Sequence, residues 1–446
     1  MEPRSGARLI DLVDPRGQDL RGLEPAAARR LLLDADPAAV LSIPGSFALV
    51  ARDGERVCMA RSLDRPLRYF LAKDAEGPAL VVAERIDELE RALAAHGWGA
   101  QFHPSYTRMV PAHHVTTLRL VGCPDPAPTH RRFFDPPRAV LPADPGAIGE
   151  RYVGALHAEL RAWLAAQDRR APIGVAFSGG VDSGAVLLCL YRLLCDDGPL
   201  GEGRARLKAF TLAVGGGGAD AAQARQFLRR VGLEMLGETI DVPAAAVDPL
   251  RAVAVIEDYK PLDVECAAVN LALLAGIRRR YPDWRLMVDG DGGDENLKDY
   301  PLEEDGELTI RSVVANPMLY QEGWGVEALK HSLVYSGGYS RSCVRTYACL
   351  RHHGFAGFSP YTRPAVVAVA EAVPFPALTE GSTGRLYALK GEIVAHGVRA
   401  VTGLELPVFP KRRFQDGASP DGPAAARFRG SEALYRGHFA ALHAAR

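Results

Sequence analysis

A short apolar segment that runs into a glycine-rich turn and then into a second apolar segment constrains the fold of this chain most. Residues 173–177 are Ile-Gly-Val-Ala-Phe, residues 178–183 are Ser-Gly-Gly-Val-Asp-Ser, and an apolar stretch follows at 185–190. This order predicts a strand, a tight turn and a helix. Glycine lets the backbone approach a ligand closely, and the first turn of a helix offers unpaired N–H groups and a positive dipole end. The turn is therefore a candidate phosphate-binding loop.

The candidate phosphate loop at 178–183 is not a Walker loop, because no lysine follows its glycines and the G-x-x-x-x-G-K-[ST] spacing is missing. Asp182 stands inside the loop instead. A carboxylate beside a phosphate is repelled unless a divalent cation lies between them. The loop resembles the S-G-G-x-D-S pyrophosphate loop of ATP pyrophosphatases, which cleave ATP between its α and β phosphates. A glycine-rich turn without a ligand is the alternative.

Composition favours small-molecule chemistry. The 446 residues are 48% hydrophobic and 24% charged, which suffices for a large core and favours two domains over one. A formal net charge of −1 gives no basic footprint for nucleic acid. No apolar run reaches the roughly 18 residues of a membrane span, and residues 1–9 lack a signal-peptide core, so we expect a cytoplasmic protein. Seven scattered cysteines without a C-x-x-C pair argue against a disulfide framework and a structural zinc site.

The first part of the chain alternates short β-like runs with helical patterns, which predicts a small α+β layer domain. Strands are expected at 39–42, 46–51, 56–60, 69–72 and 79–83, and a helix at 86–95. Prolines and charges then dominate residues 123–145. We predict a first domain over 1–125, a linker over 126–147 and a second domain over 148–446.

The second domain begins with a helical pattern at 148–167 and then alternates strands with helices. Strands are expected at 173–177, 206–214, 236–241 and 285–288, with a predominantly helical pattern from about residue 311 onward. This alternation predicts an α/β fold with a doubly wound parallel sheet, whose ligands bind beyond the carboxyl ends of the strands. Ser178 and Asp289 both follow such ends.

A second group of chemically active side chains follows the strand at 285–288. Residues 289–295 are Asp-Gly-Asp-Gly-Gly-Asp-Glu, so that four carboxylates lie within seven residues. Carboxylates at this density repel one another unless a cation or protons intervene. The spacing excludes an EF-hand calcium loop, whereas a solvated turn is the alternative for the cluster taken alone. Its place at a second strand end favours a function shared with the phosphate loop.

Three motifs together resemble the synthetase domain of the asparagine synthetase family, including its β-lactam-forming relatives. They are the phosphate loop, Gly-Asp-Gly-Gly-Asp-Glu at 290–295 and Lys-Arg-Arg-Phe-Gln-Asp-Gly at 411–417, in the family's order and at about its distances. The resemblance covers about 148–422. It implies an adenine nucleotide alpha hydrolase-like sheet with a helical C-terminal part, and it implies ATP and Mg²⁺ as cofactors.

The resemblance also implies roles for single residues. The nucleotide-binding residues would be Ser178, Gly179, Gly180, Asp182, Ser183 and Gly292; the Mg²⁺ ligands would be Asp182 and Asp294; the catalytic residues would be Lys411, Asp291 and Glu295. Lys411 would stabilise charge at the α-phosphate and the tetrahedral intermediate, and Asp291 would take a proton from the attacking amine. The family counterpart of Asp291 is a glutamate in asparagine synthetases and a tyrosine in β-lactam synthetases, so an acid here leans away from the cyclases.

The first domain resembles a degenerate glutamine amidotransferase domain of the N-terminal-nucleophile (Ntn) type, through residues 45–49, 61–69, 109–114 and 132–134. Such a domain uses an N-terminal cysteine as its nucleophile. Here the residue after Met1 is Glu2. We therefore expect no glutamine hydrolysis, with nitrogen supplied as ammonia, by a second substrate or by an amine of the activated molecule itself.

Several other residues stay open between two roles. The glycines at 215–218 form a flexible loop or lie near the adenine or ribose, and Lys390 is a family lysine or a surface lysine. His113 and His114 favour packing or solvent exposure over metal binding. His352 and His353 precede a turn and could line an acceptor pocket.

These observations predict an ATP- and Mg²⁺-dependent synthetase that adenylates a carboxylate, releases pyrophosphate and forms an amide with an amine or ammonia. Glutamine would not be hydrolysed, and the setting would be natural-product biosynthesis such as antibiotic formation. The alternatives are an intramolecular cyclase of the β-lactam or lasso-peptide type and a nucleotide-binding pseudoenzyme. We expect a small-molecule or peptide carboxylate and an amine as partners, no nucleic acid and no membrane, and keep a homodimer open.

Overall fold

A computed structural model describes residues 6–121, 127–196, 205–299, 302, 309–315, 343–410 and 432–444. They divide into two units, one from the ranges Met1–Asp135, Gln321–Cys343 and Gly437–Arg446 and the other from Pro136–Tyr320 and Val344–Arg436. No helix within the described ranges is long and apolar enough to cross a membrane.

The first unit contains two sheets and flanking helices. Its strands are β1 (Arg8–Asp11), β2 (Ala48–Asp53), β3 (Arg56–Arg61), β4 (Arg68–Asp74), β5 (Gly77–Ala83), β6 (Arg108–Met109), β7 (His114–Arg119) and β8 (Thr129–Arg132). Its helices are α1 (Pro25–Leu33), α2 (Pro37–Leu41) and α3 (Ile86–Ala95), with single 3₁₀ turns at Pro15–Gly17, Gly99–Gln101 and Pro104–Tyr106. The described strands form two four-stranded sheets, in the orders β1-β5-β4-β6 and β2-β3-β7-β8.

Strand alternation gives the sheet that contains β4 and β5 an apolar layer on each face. Tyr69 packs in one core cluster with Val50 of the other sheet. Phe70, one residue later, packs on the opposite face with Leu89 of α3. Because α1 packs against β2 and β3, the unit is layered as helix, sheet, sheet and helix. The α+β layer arrangement predicted for this region is confirmed.

Local details of the first unit differ from the sequence prediction. The strand predicted at 39–42 is wrong, because residues 39–41 belong to α2 and Ser42 caps the end of this helix. Asp36 caps this helix by accepting a hydrogen bond from Ala38 N at 3.3 Å, and Pro37 has the backbone angle that a first helical position needs. Strand β8 lies inside the stretch predicted as a linker and pairs with β7, so the sheet reaches beyond residue 125.

The second unit contains the predicted parallel sheet. Its strands are β9 (Ile173–Ala176), β10 (Leu207–Val214), β11 (Gly237–Val242), β12 (Leu286–Val288) and β13 (Ala356–Phe358). Its helices are α4 (Pro145–Ala165), α5 (Val181–Asp196), α6 (Ala219–Arg230), α7 (Pro249–Ile256), α8 (Pro261–Arg280), α9 (Gly293–Asn296), α10 (Ile310–Ala315), α11 (Ala348–His352), α12 (Pro364–Glu371), α13 (Phe375–Thr379) and α14 (Thr383–Thr402). Shorter turns lie at Glu234–Leu236, Ala244–Ala246, Cys343–Tyr347 and Pro360–Thr362, and α15 (Glu432–Leu442) closes the described chain.

All neighbouring strands of this sheet are parallel, in the order β11-β10-β9-β12-β13. This order determines where the two candidate site loops lie. From β9 the chain adds β10 and β11 on one side and then returns to add β12 and β13 on the other, which confirms the doubly wound sheet. The order reverses between β9 and β12, where Val175 pairs with Val288. A crevice opens beyond the carboxyl ends of strands at such a reversal. Ser178 and Asp289 both lie at this crevice.

Strand β13 is a correction to the sequence prediction, which expects mainly helix after residue 311. Three residues are too few to display an alternating pattern. The segment becomes a strand by pairing with β12, with Phe358 opposite Val288.

Candidate active site

The phosphate loop at 178–183 connects β9 to α5. Ser178 Oγ accepts a hydrogen bond from Gly180 N at 3.3 Å and lies 3.3 Å from Ser183 Oγ. Gly179 has a φ of +75°, and a Cβ at this position would lie 2.9 Å from the backbone of Ala224. Glycine fits here because the left-handed conformation and the close approach of α6 both disfavour a side chain. The N–H groups of the loop therefore lie beside the amino end of α5, where the helix dipole is positive.

The acidic segment 289–295 leaves β12 at the neighbouring strand end. The buried Asp289 carboxylate accepts hydrogen bonds from Ser359 Oγ at 2.9 Å and from Asp291 N at 3.0 Å. Gly292 then precedes the single turn of α9. Asp289 thus closes the turn with its own side chain, and the next acids, from Asp291 onward, project from that turn.

The phosphate loop and the acidic segment touch at Gly293. A Cβ on Gly293 would overlap Asp182 Oδ1, so the carboxylate lies directly on the acidic turn. Tyr361 Oη donates a hydrogen bond to the Asp182 backbone oxygen at 3.2 Å. Asp182 Oδ1 is buried and has no hydrogen-bond partner among the described residues. A buried acceptor without a donor is costly, so this oxygen is available to a ligand.

A buried lysine joins the two loops. Lys390 Nζ, on α14, donates to Asp182 Oδ2 at 2.5 Å and to Asp294 Oδ1, and lies 3.6 Å from Asp299 Oδ2. Burial by itself lowers the pKa of Lys390, but the three carboxylates outweigh it and raise this pKa well above its ordinary value. Burial raises the pKa of Asp182 to about 7, an effect that Lys390 opposes and Asp294 reinforces. The ammonium is therefore charged and holds the two loops together.

Asp291, the predicted base, is oriented by a hydrogen bond from the helical turn Cys343–Tyr347, which α8 supports. Thr346 Oγ1 donates a hydrogen bond to Asp291 Oδ2, and Asn270 Nδ2 in turn donates to Thr346 Oγ1 at 3.3 Å. Burial raises the pKa of Asp291, while the Thr346 hydrogen bond and Arg345 lower it. A carboxylate with a raised pKa can exchange a proton closer to neutral pH.

Glu295 belongs to a charge network behind Asp291. Arg345 Nε donates to Asp263 Oδ1 at 2.7 Å. Burial lowers the pKa of Arg345, but Cys266, Asp263 and Glu295 raise it above its ordinary value. Glu295 is itself buried. Arg345 therefore balances the charge of Glu295. Glu295 also lies close enough to Asp291 to raise the pKa of that carboxyl.

The carboxylates of this site fit a magnesium ion that is held partly by the protein and partly by the phosphates of a nucleotide. Mg²⁺ is usually held by one or two carboxylates together with substrate phosphates and water. Asp182 and Asp294 approach one point from facing loops, and Asp182 offers its unpaired Oδ1. Among the described residues, no group of three or more His, Cys, Asp and Glu side chains could hold a metal by themselves. Phosphate oxygens of a nucleotide and water would add further ligands.

Other predicted site residues lie in varied places. Lys411 and its motif at 411–417 lie outside the described residues. The glycines 216–218 line a small cavity with Arg225 and Asp241, beyond the ends of β10 and β11. Gly216 N donates to Asp241 Oδ1 at 2.9 Å, which fixes the rim of this cavity.

The histidines singled out from the sequence lie in two different units. His113 is buried, and its ring lies 4.7 Å from the ring centre of Phe134. His352 Nε2 pairs with Arg251 Nη2 at 2.9 Å, ahead of the amino end of β13. The loops of the candidate site lie at the carboxyl ends of the strands, and the acceptor-pocket interpretation of His352 and His353 stays a prediction.

Sequence reasoning left Lys390 open between a family lysine and a surface lysine, and it gave Thr346 no role. Lys390 is only 4% exposed, so the surface-lysine interpretation is wrong. A signal was present, since Lys390 occurs among the buried apolar residues of α14 such as Leu386 and Ile393. A lysine in an apolar helix face needs a buried partner. Thr346 gives no comparable signal.

Comparison with known proteins agrees with this geometry. Residues 160–334 match the family model described as asparagine synthase. The match includes both the phosphate loop and the acidic segment. This part of the chain is therefore similar to the synthetase domain of the asparagine synthetase family, and the match supports an ATP-dependent amide-forming ligase activity. A search of curated proteins found no match.

Proposed function

We propose that this synthetase domain adenylates a substrate carboxylate, releases pyrophosphate and forms an amide bond with an amine or ammonia. The observation that carries the proposal is the meeting of Asp182, Asp294 and Lys390 at the start of α5. A phosphate loop with carboxylates beside it suits a metal-bound polyphosphate better than a free anion.

In the first step, a carboxylate oxygen of the substrate attacks the α-phosphorus of ATP. The bond to the bridging oxygen breaks, and pyrophosphate leaves with the electron pair. The loop N–H groups and the hydroxyls of Ser178 and Ser183 would bind the departing phosphates. Asp182 and Asp294 would hold Mg²⁺, which neutralises phosphate charge when bound. Lys411 would place a fixed positive charge at the α-phosphate.

In the second step, the amine attacks the acyl carbon of the adenylate. Asp291 takes the proton that the nitrogen loses, and AMP leaves with the electrons of the acyl–oxygen bond. The Thr346 hydrogen bond fixes the Asp291 carboxylate for this transfer. Glu295 and Arg345 would position the substrate beside it.

We further propose that glutamine is not the nitrogen donor. Glutamine hydrolysis by an Ntn-type domain needs an accessible cysteine thiol. Cys58, in the described range 6–121, is buried within β3, with Sγ 3.8 Å from Thr117 Oγ1. The amine would come from ammonia, a second substrate or the activated molecule. Amide formation with a larger amine suits natural-product biosynthesis.

The deciding experiment incubates the purified chain with ATP, Mg²⁺ and panels of carboxylic acids and amines. AMP, pyrophosphate and new amide masses are measured by chromatography and mass spectrometry. Equal amounts of AMP and pyrophosphate that depend on the acid are the expected result, whereas ADP and inorganic phosphate would refute adenylation.

The same assay separates the alternatives. An amide formed from one substrate without added amine would identify an intramolecular cyclase. ATP binding without pyrophosphate release across the whole panel would identify a nucleotide-binding pseudoenzyme. Glutamine supplied as the sole nitrogen source is expected to release no glutamate, and glutamate formation would contradict the proposed donor.

A further inference from the structure

Lys390 contacts the carboxylates that the proposed function assigns to the metal. Its ammonium donates to Asp182 Oδ2 at 2.5 Å and to Asp294 Oδ1, with Asp299 Oδ2 at 3.6 Å. The lysine side chain is 4% exposed, so water screens these contacts poorly. With every group ionised, three carboxylates and one ammonium leave a net charge of −2. This charge is what one divalent cation neutralises.

We infer that Lys390 is a built-in counter-ion of the metal site, which holds Asp182 and Asp294 together without metal and lowers their affinity for a divalent cation. The inference rests on the proposed Mg²⁺ site. Its physical basis is competition, because the ammonium already occupies one oxygen of each carboxylate. A free divalent cation must therefore approach the remaining oxygens, including the unpaired Asp182 Oδ1, against the repulsion of Lys390. Nucleotide phosphates add negative charge at this point and shift the balance towards the metal.

The counter-ion role predicts opposite effects on metal-free stability and on metal affinity. Lys390→Met removes the ammonium that contacts three crowded carboxylates, so the metal-free protein should melt at a lower temperature. The same variant removes the competing charge, so it should bind a divalent cation on the order of tenfold more tightly. Metal should then restore its melting temperature, because a ligand that binds only the folded state stabilises it.

The test measures Mn²⁺ binding to the full chain without nucleotide, by the electron paramagnetic resonance signal of free Mn²⁺. Mn²⁺ takes the same oxygen ligands as Mg²⁺. Lys390→Arg keeps the charge and should match the wild type. Lys208→Met is the matched control, since it removes a lysine that pairs with Glu238 at 3.6 Å near the amino ends of the strands. Melting curves are recorded in EDTA and in Mn²⁺.

The counter-ion role would be overturned if Lys390→Met bound Mn²⁺ no more tightly than the wild type does. It would also be overturned if Mn²⁺ did not restore the melting temperature of this variant. Should Lys390→Met fail to fold, Lys390→Met with Asp299→Asn is compared with Asp299→Asn alone, and the double variant should bind Mn²⁺ more tightly. Equal affinities there would also overturn it. Pyrophosphate release is not measured, so failure of this role and failure of the proposed adenylation are seen in separate experiments.

Discussion

Replacing Gly293 by alanine tests whether the phosphate loop and the acidic segment meet as described. A Cβ at this position would overlap Asp182 Oδ1, while Asp182 Oδ2 is bonded to Lys390 Nζ at 2.5 Å. The carboxylate must therefore move and lengthen that ion pair. Overpacking of this kind costs about 1–3 kcal/mol, and alanine recovers at most about 1 kcal/mol of helix propensity. With the full propensity gain, we expect a net loss of up to about 2 kcal/mol in the free energy of unfolding, with weaker Mg²⁺-ATP binding.

The loss is measured by urea denaturation, and the binding of Mg²⁺-ATP by titration calorimetry. Gly154→Ala, in the middle of α4, is the matched control because a Cβ there meets no atom within 4 Å. It should leave binding unchanged and stabilise the protein by up to about 1 kcal/mol. If Gly293→Ala equals Gly154→Ala in both stability and nucleotide affinity, the contact between the two loops is wrong.

Three further predictions concern chemistry. Lys411→Met should lose on the order of 10²-fold in turnover, since it removes a cation that stabilises transition-state charge; AMP release near the wild-type rate would contradict this. In its proposed role as base Asp291 must be deprotonated, so the rate of amide formation should fall as the pH drops through its raised pKa. Thr346→Val removes a hydrogen bond that lowers this pKa and should shift the acid limb of the pH–rate profile to higher pH, whereas Thr346→Ser should leave it in place. Superimposable profiles for wild type and Thr346→Val would refute that role.

Local sequence patterns were sufficient for the framework of the fold. The helix predicted at 86–95 is found as Ile86–Ala95, and the strand, turn and helix around the phosphate loop lie where periodicity and glycines predict them. These elements can be predicted from neighbouring residues, because apolar side chains recur at every second position in a half-buried strand and at every third or fourth position in an amphipathic helix. The same logic put the acidic segment at a second strand end.

Sequence patterns alone predicted two loops as the candidate phosphate and metal sites and placed each of them after a strand of a parallel sheet. The tertiary structure decided what surrounds them: Lys390 reaches Asp182 across 208 positions of the chain, and Thr346 reaches Asp291 across 55. Such pairs leave no periodic signal, because their proximity arises only when the sheet reverses its order between β9 and β12 and helices from distant segments pack beside the crevice. A buried charge is then held by whichever opposite charges the packing brings within reach.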